Sequence, residues 1–437
     1  MFFGNFFGYL LALVGFALCT QESAAASSVG GKDIVDYIDL ALVQDQRIAQ
    51  ARAQVAANQA AEDAANAPRR PQVGVSGSYS WNNQLKPLAR DYASGEAALD
   101  VQQSLWQRSL LSQRDLARMQ TEASQLRLAS AKQQLLRELS TTLFDYLNQR
   151  RVVAAYQAQQ QVLANALARE EARFAVGASS LPRITAVRAE LHQVKASLLA
   201  VQALQDNYLD VLQRIVGEPV MLPPVTDSPQ FAMPEEDRRE LQTRARKNNL
   251  ELRLAQNAIA QADLNITLAQ PINHLSVDLF GRWSQGTNPN GQGMESEMHQ
   301  LGVRLKMPLY TGGRVAAYAT KAEQEYAAAQ LARDYQASVL TSTVRLRWRE
   351  LQAQLAVIEA NQLSVLSATQ SLELNQAAYD NNALDQQELL DAQSRLYNAE
   401  RILVDSQFAF SRQMVALYEL AGELHKERLS MQVRKWW

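Results

Sequence analysis

The side chains that could support catalysis or bind a metal ion are few and widely spaced. The chain contains four histidines in 437 residues, and their positions match no metal-binding spacing: His192, His274, His299 and His425. The Asp and Glu residues are scattered through segments with helical periodicity, where solvated helix surfaces account for them. We therefore expect no catalytic residue, no cofactor site and no metal site, and we expect that the protein is not an enzyme.

Gly312-Gly313-Arg314 is glycine-rich, but it does not match a phosphate-binding loop because no Gly-Lys-Ser/Thr sequence follows it. An alternating segment precedes it and a long segment with helical composition follows it. This position predicts a junction at which a strand turns into a helix.

Glu388 and Asp391 are the acidic pair of most interest, because their spacing of three residues places both on one face of a helix. Two interpretations remain open. They are either ordinary acids on a solvated helix surface or a pair with a functional role.

The N-terminus resembles a secretory signal. Residues 1–19 are almost wholly apolar and lead into small residues that fit cleavage after Ala26, so residues 1–26 are predicted to be a signal peptide. No Lys or Arg precedes Lys32, so a membrane span remains the alternative. The only cysteine is Cys19, and whether it carries a lipid stays open. Its removal with the signal would leave a chain without disulfides.

Composition favours helices and gives no sign of a nucleic-acid partner. The formal net charge is −2, with 20% charged residues, and no basic stripe is interleaved with aromatic residues. Long stretches are rich in Ala, Gln, Leu and Arg, which are good helix formers. After residue 30 no apolar run approaches the length of a transmembrane helix, which leaves a soluble periplasmic protein or an outer-membrane β-barrel.

The chain contains an internal repeat. A shift of roughly 204 positions superposes Trp106 on Tyr310 and Phe144 on Trp348. The predicted division is a signal peptide, a first repeat, a proline-rich linker, a second repeat and a C-terminal tail: residues 1–26, 27–218, 219–234, 235–424 and 425–437. Each repeat is expected to contain a helix, two strands and then very long helices.

Two stretches without proline or glycine predict the long helices. They run from about Trp106 to Val176 and from about Arg314 to Tyr379. At 1.5 Å per residue each would be about 100 Å long as a continuous helix. A helix of that length must bury its apolar stripe against other helices, as in a coiled coil or a helical tube.

Period-two alternation predicts four strands. The alternating segments are residues 73–81, 96–102, 274–283 and 301–307, and Phe280 interrupts the third. Such alternation is typical of outer-membrane strands, which are apolar toward lipid and polar toward the lumen, although a half-buried soluble sheet is the alternative. Polar turns rich in Gly and Asn are predicted between the strands of each pair, at residues 82–95 and 285–299.

Four strands cannot enclose an open pore, and strand edges cannot be left unpaired in lipid. Three copies of the chain would give a twelve-stranded barrel with room for a lumen. The predicted fold class is therefore mostly α with a small β part, with four strands per chain that contribute to a trimeric barrel continued by a long helical tunnel.

Three segments resemble the TolC-type outer-membrane factors. They are Phe174–Ala178, Met307–Arg314 and Leu389–Leu396, and the resemblance extends over about residues 33–424. It implies a homotrimer in the outer membrane of a Gram-negative cell, with a twelve-helix tunnel in the periplasm. The implied partners are outer-membrane lipid, a periplasmic adaptor protein and an inner-membrane transporter, either an ABC transporter or a proton-driven pump.

The resemblance also implies three kinds of site. Glu388 and Asp391 would form rings at the periplasmic entrance, and Pro308, Gly312 and Gly313 would mark the barrel–tunnel junction. The adaptor would dock at the tips of two helical hairpins, on Gly177, Ala178, Ser179, Asn382, Ala383 and Leu384.

The sequence departs from the family pattern at three places. Gln103–Ser109 lacks the Pro and Gly residues of the second junction, Asn381-Asn382 replaces a glycine, and Pro182-Arg183 replaces a Thr-Asp pair. The form of the first junction favours type I protein secretion over small-molecule efflux. The alternative function is a soluble periplasmic coiled-coil adaptor or scaffold. The sequence leaves the cargo, the pump and the resting state of the tunnel open.

Overall fold

The computed structural model describes residues 34–84, 90–222, 230–289, 292–381, 383–434 and 436. The predicted signal peptide and Cys19 lie outside the described residues. Within these ranges, no helix combines the length and the hydropathy that a membrane crossing requires.

The described chain is mostly helical, with one small antiparallel sheet. In chain order the elements are α1 (Ile34–Gln44), α2 (Gln46–Asn66), β1 (Gln72–Gln84), β2 (Arg90–Gln107), α3 (Arg108–Ala175), α4 (Leu181–Val216), α5 (Arg238–Asn248), α6 (Leu250–Ala269), β3 (Ser276–Thr287), β4 (Glu295–Lys306), α7 (Arg314–Asp380), α8 (Gln386–Leu420) and α9 (Lys426–Arg434). Short 3-10 turns at Ala67–Arg69 and Pro271–His274 precede β1 and β3.

The two predicted long helices are confirmed. α3 has 68 residues and α7 has 67, so each is about 100 Å long. α3 ends where Gly177 takes a positive φ of 76° and the N–H of Ala178 bonds back to the carbonyl of Arg173. α4 and α8 return antiparallel to α3 and α7, which makes two long helical hairpins.

The sheet has the strand order β1-β2-β3-β4, and all its pairs are antiparallel. Its central ladder joins β2 of the N-terminal half to β3 of the C-terminal half, with Leu99 opposite Trp283. Because α3 follows β2 and α7 follows β4, both long helices start at the same end of the sheet, where these two strands end.

The predicted turns at residues 82–95 and 285–299 were wrong in extent. β1 continues to Gln84 and β2 begins at Arg90, while β3 continues to Thr287 and β4 begins at Glu295. The polar residues assigned to the first turn extend the ladder, because the Asn82 amide donates to the Ser94 hydroxyl at 2.8 Å. Polarity in this segment marks hydrogen-bonded strands and not an early loop.

The two faces of the sheet differ in chemistry. Val75 is 82% exposed and Leu301 80% exposed, so no described part of the chain covers these residues of the apolar face. On the opposite face, Arg282 forms ion pairs with Glu96 at 2.8 Å and with Asp100 at 3.2 Å. The sheet is therefore amphipathic, as the alternation predicted.

Phe280, which breaks the alternation, lies on the polar face opposite Gly302. A Cβ atom at Gly302 would lie only 2.9 Å from the Phe280 ring, so only glycine fits there without movement of the ring. The guanidinium of Arg304 lies 4.6 Å from the centre of the same ring. A glycine and a cation on the neighbouring strand thus accommodate the aromatic ring.

The main hydrophobic core joins the two halves of the chain at the level of α1 and α9. The Phe144 ring of α3 lies 6.3 Å from the Phe408 ring of α8, and Trp436 stacks on Phe408 at 4.0 Å. The predicted C-terminal tail, residues 425–437, therefore contains a packed helix, and its Leu429 and Val433 are buried in this core. The sequence pattern does not reveal this packing, because α9 is short and its apolar partners are distant in sequence.

The predicted linker, residues 219–234, has no helix or strand in its described residues. It is still anchored, because Phe231 contacts Phe410 and Trp436 with ring centres 5.5 and 5.7 Å apart. The prolines of this segment prevent a helix, and its apolar side chains keep it against the core.

Candidate functional site at the hairpin tips

Two short loops end the helical hairpins at the end of the molecule distant from the sheet. Residues 176–180 join α3 to α4, and residues 381–385 join α7 to α8. Because α3 and α7 start at the same end of the sheet and have nearly equal lengths, the two loops lie at a similar level. The two tips together form the candidate functional site.

The second hairpin packs against the first through a small apolar cluster just above the tips. Leu390 of α8 is buried there against residues of α3 and α4, namely Leu163, Ala166, Val187, Leu191 and Val194. Since Leu389 and Leu390 face inward, the same helical turns present Glu388 and Asp391 on the exposed side. The Asp391 carboxylate accepts a hydrogen bond from the Gln387 amide at 3.0 Å.

The first tip combines exposed apolar residues with one buried acid. Phe174, Val176 and Leu181 are 47%, 79% and 59% exposed. Glu170 is only 1% exposed, accepts a hydrogen bond from the Ser179 hydroxyl, and lies 3.6 Å from the guanidinium of Arg173. These contacts fix the fold of the loop from inside.

The predicted docking residues of the two tips have different surroundings. Gly177 and Ala178 are exposed, whereas Ser179 is half-buried because its hydroxyl is bonded to Glu170. At the second tip Ala383 is exposed and Leu384 is half-buried, and Asn382 lies outside the described residues.

Direct polar contacts link the two hairpins at the tips. The Arg183 guanidinium lies 2.9 Å from the Asp385 carboxylate. The Arg173 guanidinium donates to the Tyr379 hydroxyl at 3.1 Å. These pairs were not predicted from the sequence. The available signal was the opposite charge of Arg183 and Asp385, of which Asp385 also caps α8.

Farther from the tips, the hairpins are also joined by polar contacts between α3 and α8. Asp405 accepts from Asn148 at 2.8 Å, and Asp145 accepts from Arg412 at 2.7 Å. Burial raises the pKa of Asp145 above its usual value, and the charge of Arg412 opposes that rise. The pair thus holds a partly buried carboxylate between the two hairpins.

The strand-to-helix junctions differ between the two halves. Gly312 and Gly313 have φ values of 61° and 81°, and with Pro308 they lie in the turn between β4 and α7. In the first half, β2 passes directly from Gln107 into α3 at Arg108, with a register shift between Ser104 and Trp106. A bulge in the strand therefore replaces the Pro and Gly residues.

The candidate functional surfaces of this fold are its amphipathic sheet and its tips. Within the described part of the chain, no group of His, Cys, Asp and Glu side chains could hold a metal ion. A groove of about 240 Å³ lies between α3, α4 and α8, lined by residues that include Tyr156, Glu190 and Arg401. An exposed amphipathic sheet joined to two helices of about 100 Å is the arrangement expected of a membrane-associated duct.

Comparison with known proteins identifies the family. The family model described as outer membrane efflux protein matches residues 37–218 and 241–423. The outer membrane protein TolC of Vibrio cholerae serotype O1 is 26% identical over 411 residues, which is 92% of this chain and 93% of that protein. The proteases secretion protein PrtF of Dickeya chrysanthemi is 26% identical over 136 residues, 31% of this chain and 29% of that protein.

The fold comparison agrees with the sequence comparison. A crystal structure of CusC has a TM-score of 0.78 at 18% identity and covers 91% of this chain and 95% of that chain. The chain therefore belongs to the outer membrane efflux protein family. It is an outer-membrane exit duct for efflux or type I secretion, and it is not an enzyme.

The ion pair between Arg183 and Asp385 is expected to set the distance between the two tips. Reversal of either charge, in Arg183→Asp or Asp385→Arg, places like charges together and should widen the distribution of distances between spin labels on α4 and α8. The double variant restores the attraction and should restore the distribution. Because both side chains are about half exposed, the pair contributes at most about 1 kcal/mol.

The control for this experiment is the ion pair between Arg188 and Glu171 at 2.8 Å, which joins α3 and α4 within one hairpin. Arg188→Glu should leave the distance between hairpins unchanged. An unchanged distribution in both single variants at the tips, measured at low salt, would contradict the role assigned to the Arg183 pair.

Proposed function

We propose that three copies of this chain form one duct, a twelve-stranded transmembrane barrel continued by a twelve-helix periplasmic tunnel. The observation that carries this proposal is the open four-stranded sheet, whose outer strands β1 and β4 each pair with only one neighbour. In lipid, unpaired N–H and C=O groups at these edges cost several kcal/mol each, so the sheet must be closed. Pairing of β4 with β1 of the next copy closes it.

The helices support the same arrangement. α7 exposes large apolar residues along its length, among them Leu331 at 70%, Tyr335 at 71% and Leu374 at 72%. Only a few of its 67 residues are buried within the single chain. Neighbouring copies would cover this surface, as packed helical rods require.

A soluble periplasmic adaptor or scaffold is the alternative function. The exposed apolar face of the sheet argues against it, because a soluble sheet turns its apolar face to a core. In the proposed organisation, residues 27–218 and 235–424 each supply two strands and one hairpin, residues 219–234 link them, and residues 1–26 direct export.

The trimer can be tested by cysteine crosslinking, because Cys19 is the only natural cysteine. Val75→Cys in β1 would be combined with single cysteines at successive positions 297–305 of β4. We expect oxidation to give a covalent trimer at one register, since β4 of one copy lies beside β1 of the next. The measurement is the mass of the product in detergent.

A cysteine at Leu279 in β3, two strands away from β1, is the matched control and should not crosslink with Val75→Cys. The proposal is wrong if no position of β4 crosslinks and the protein remains monomeric in lipid.

We further propose that Glu388 and Asp391 of three copies form two acidic rings at the periplasmic entrance. Both side chains are exposed at the second tip, on the side opposite the buried Leu390. In a threefold arrangement such rings attract cations. Glu388→Gln and Asp391→Asn should weaken block by divalent cations and lower cation selectivity in single-channel recordings.

Asp63→Asn, in α2 near the sheet, is a control that changes charge by the same amount on an exposed residue. If cation block and selectivity are identical in wild type and both tip variants, the rings do not line the entrance.

We propose that the tips dock the periplasmic adaptor that connects the duct to an inner-membrane ABC or proton-driven transporter. Phe174, Val176 and Leu181 supply exposed apolar area around Gly177 and Ala178. Photo-crosslinkers at Ala178 and Ala383 should capture the adaptor in cells, identified by mass spectrometry, whereas one at Ala61 near the sheet should not. Capture from Ala61 alone would contradict tip docking.

The cargo of the duct is a narrower question. The family name refers to efflux and PrtF to secretion of proteases, and the first junction favours secretion of unfolded protein. Energy for either process must come from the partner, since the sequence contains no nucleotide-binding motif.

A further inference from the structure

The end of the sheet that bears the helices is basic. The four segments at this end are residues 67–72, 103–110, 270–276 and 305–314, and none contains Asp or Glu. The nearest acid of the sheet is Asp278, which lies opposite Ser104 and Arg304 on the polar face. The opposite end, at residues 82–95 and 285–299, contains three acids, Asp91, Glu295 and Glu297, and only two basic residues, Lys86 and Arg90. The two ends of the sheet therefore differ in charge, although the net charge of the whole chain is only −2.

We define the basic belt as Arg69, Arg70, Arg108 and Arg314. All four side chains are exposed, and none forms an ion pair with a carboxylate in the described part of the chain. Lys306 lies at the same end of the sheet. It is not part of the belt, because it shares the polar strand face with Arg304, which contacts Phe280.

Backbone contacts hold the belt beside the sheet. The Gln103 amide donates to the carbonyl of Arg69 at 2.7 Å, and the Gln72 amide donates to the carbonyl of Arg70 at 3.2 Å. Arg108 follows the last residue of β2, and Arg314 begins α7 after the β4 turn. The four arginines therefore lie near one level, where strands give way to helices.

The charges are not placed to stabilise the helices that carry them. Arg108 and Arg314 are the first residues of α3 and α7, and neither helix has an acid in its first turn. A cation at this position opposes the helix dipole, which favours negative charge there. An external anion would compensate the cost.

Exposed aromatic residues mark the same level as a membrane interface. Trp106 is 44% exposed and Tyr310 is 88% exposed. Between this level and that of Tyr79, opposite Gly95, β2 rises by about 37 Å, or about 28 Å along the normal for a strand tilt of about 40°. This height agrees with the band of about 25 Å that outer-membrane barrels present to lipid.

We infer that the basic belt binds the anionic headgroups of phospholipids in the periplasmic leaflet of the outer membrane. The inference rests on the proposed barrel, which places the end of the sheet next to the helices at that leaflet. Arginine matches phosphate through charge-assisted, bidentate hydrogen bonds. Each arginine near an anionic surface should favour the anionic lipid by about fivefold.

The inference can be tested by native mass spectrometry of the full-length protein released from vesicles of phosphatidylcholine with or without phosphatidylglycerol. The wild type should retain phosphatidylglycerol in preference to phosphatidylcholine, and added salt should weaken that preference. The fourfold variant R69Q/R70Q/R108Q/R314Q should lose it, and each single variant should lower it by up to about fivefold. Replacement of the four arginines by lysine should preserve most of it and tests whether charge is what matters.

The matched control is R127Q/R169Q/R345Q/R349Q, which removes the same charge from exposed arginines elsewhere on the long helices. Retained preference in the belt variant, or equal loss in this control, would overturn the inference. So would displacement of the lipid by inorganic phosphate at low concentration, which would indicate a site for a free anion. The same spectra report the oligomer, so a monomer would contradict the proposed barrel while a trimer without lipid preference would contradict the belt alone.

Discussion

The ladder between β2 and β3 is the interaction on which the rest of the structure depends. It joins the two halves of the chain through antiparallel hydrogen bonds from Gly95 opposite Thr287 to Gln107 opposite Ser276. Because α3 continues β2 and α7 follows β4, this ladder makes both long helices start at one end of the sheet and run in the same direction. Their lengths of 68 and 67 residues then bring both hairpin tips to a similar level. Contact between Arg183 and Asp385 is a consequence of that shared origin and matched length.

Packing between the hairpins converts the common origin into a defined geometry. About halfway along α3 the aromatic core around Phe144, Phe408 and Trp436 joins α3, α8 and the C-terminal segment. The polar pair of Asp145 and Arg412 lies beside this core, and the apolar cluster around Leu390 joins the hairpins nearer the tips. At the tips, Arg183 and Asp385 form an ion pair with half-exposed side chains. Half-exposed ion pairs contribute little free energy, whereas aromatic burial contributes much more. The single chain is therefore most firmly held around the aromatic core and least firmly held at the tips, where the proposed entrance and docking surface lie.

Periodicity predicted the parts of this fold in which a local pattern decides the structure. The long helices and the four strands follow from runs without proline or glycine and from alternation, and the structure confirms them. Turn boundaries were wrong because Asn82 and Ser94 are polar yet pair across strands. The packing of Trp436 and the pair formed by Arg183 and Asp385 could not be predicted, because each depends on partners more than 25 residues away in sequence. The roles of Glu388 and Asp391 depend on other copies of the chain, which the sequence of one chain does not describe.

Charge is distributed along the long axis of the molecule, and this distribution is hidden in a net charge of −2. The four arginines of the basic belt lie where the strands meet the helices, and the acids Glu388 and Asp391 are exposed at the far end, about 100 Å away. Over such a distance the two groups do not interact in physiological salt, where screening acts within about 8 Å. Each group must therefore be explained by its own surroundings: the arginines by an anionic surface around the proposed barrel, and the carboxylates by cations at the proposed entrance. A nearly neutral chain can thus present opposite charges to two different partners, because the length of its helices keeps them electrostatically independent.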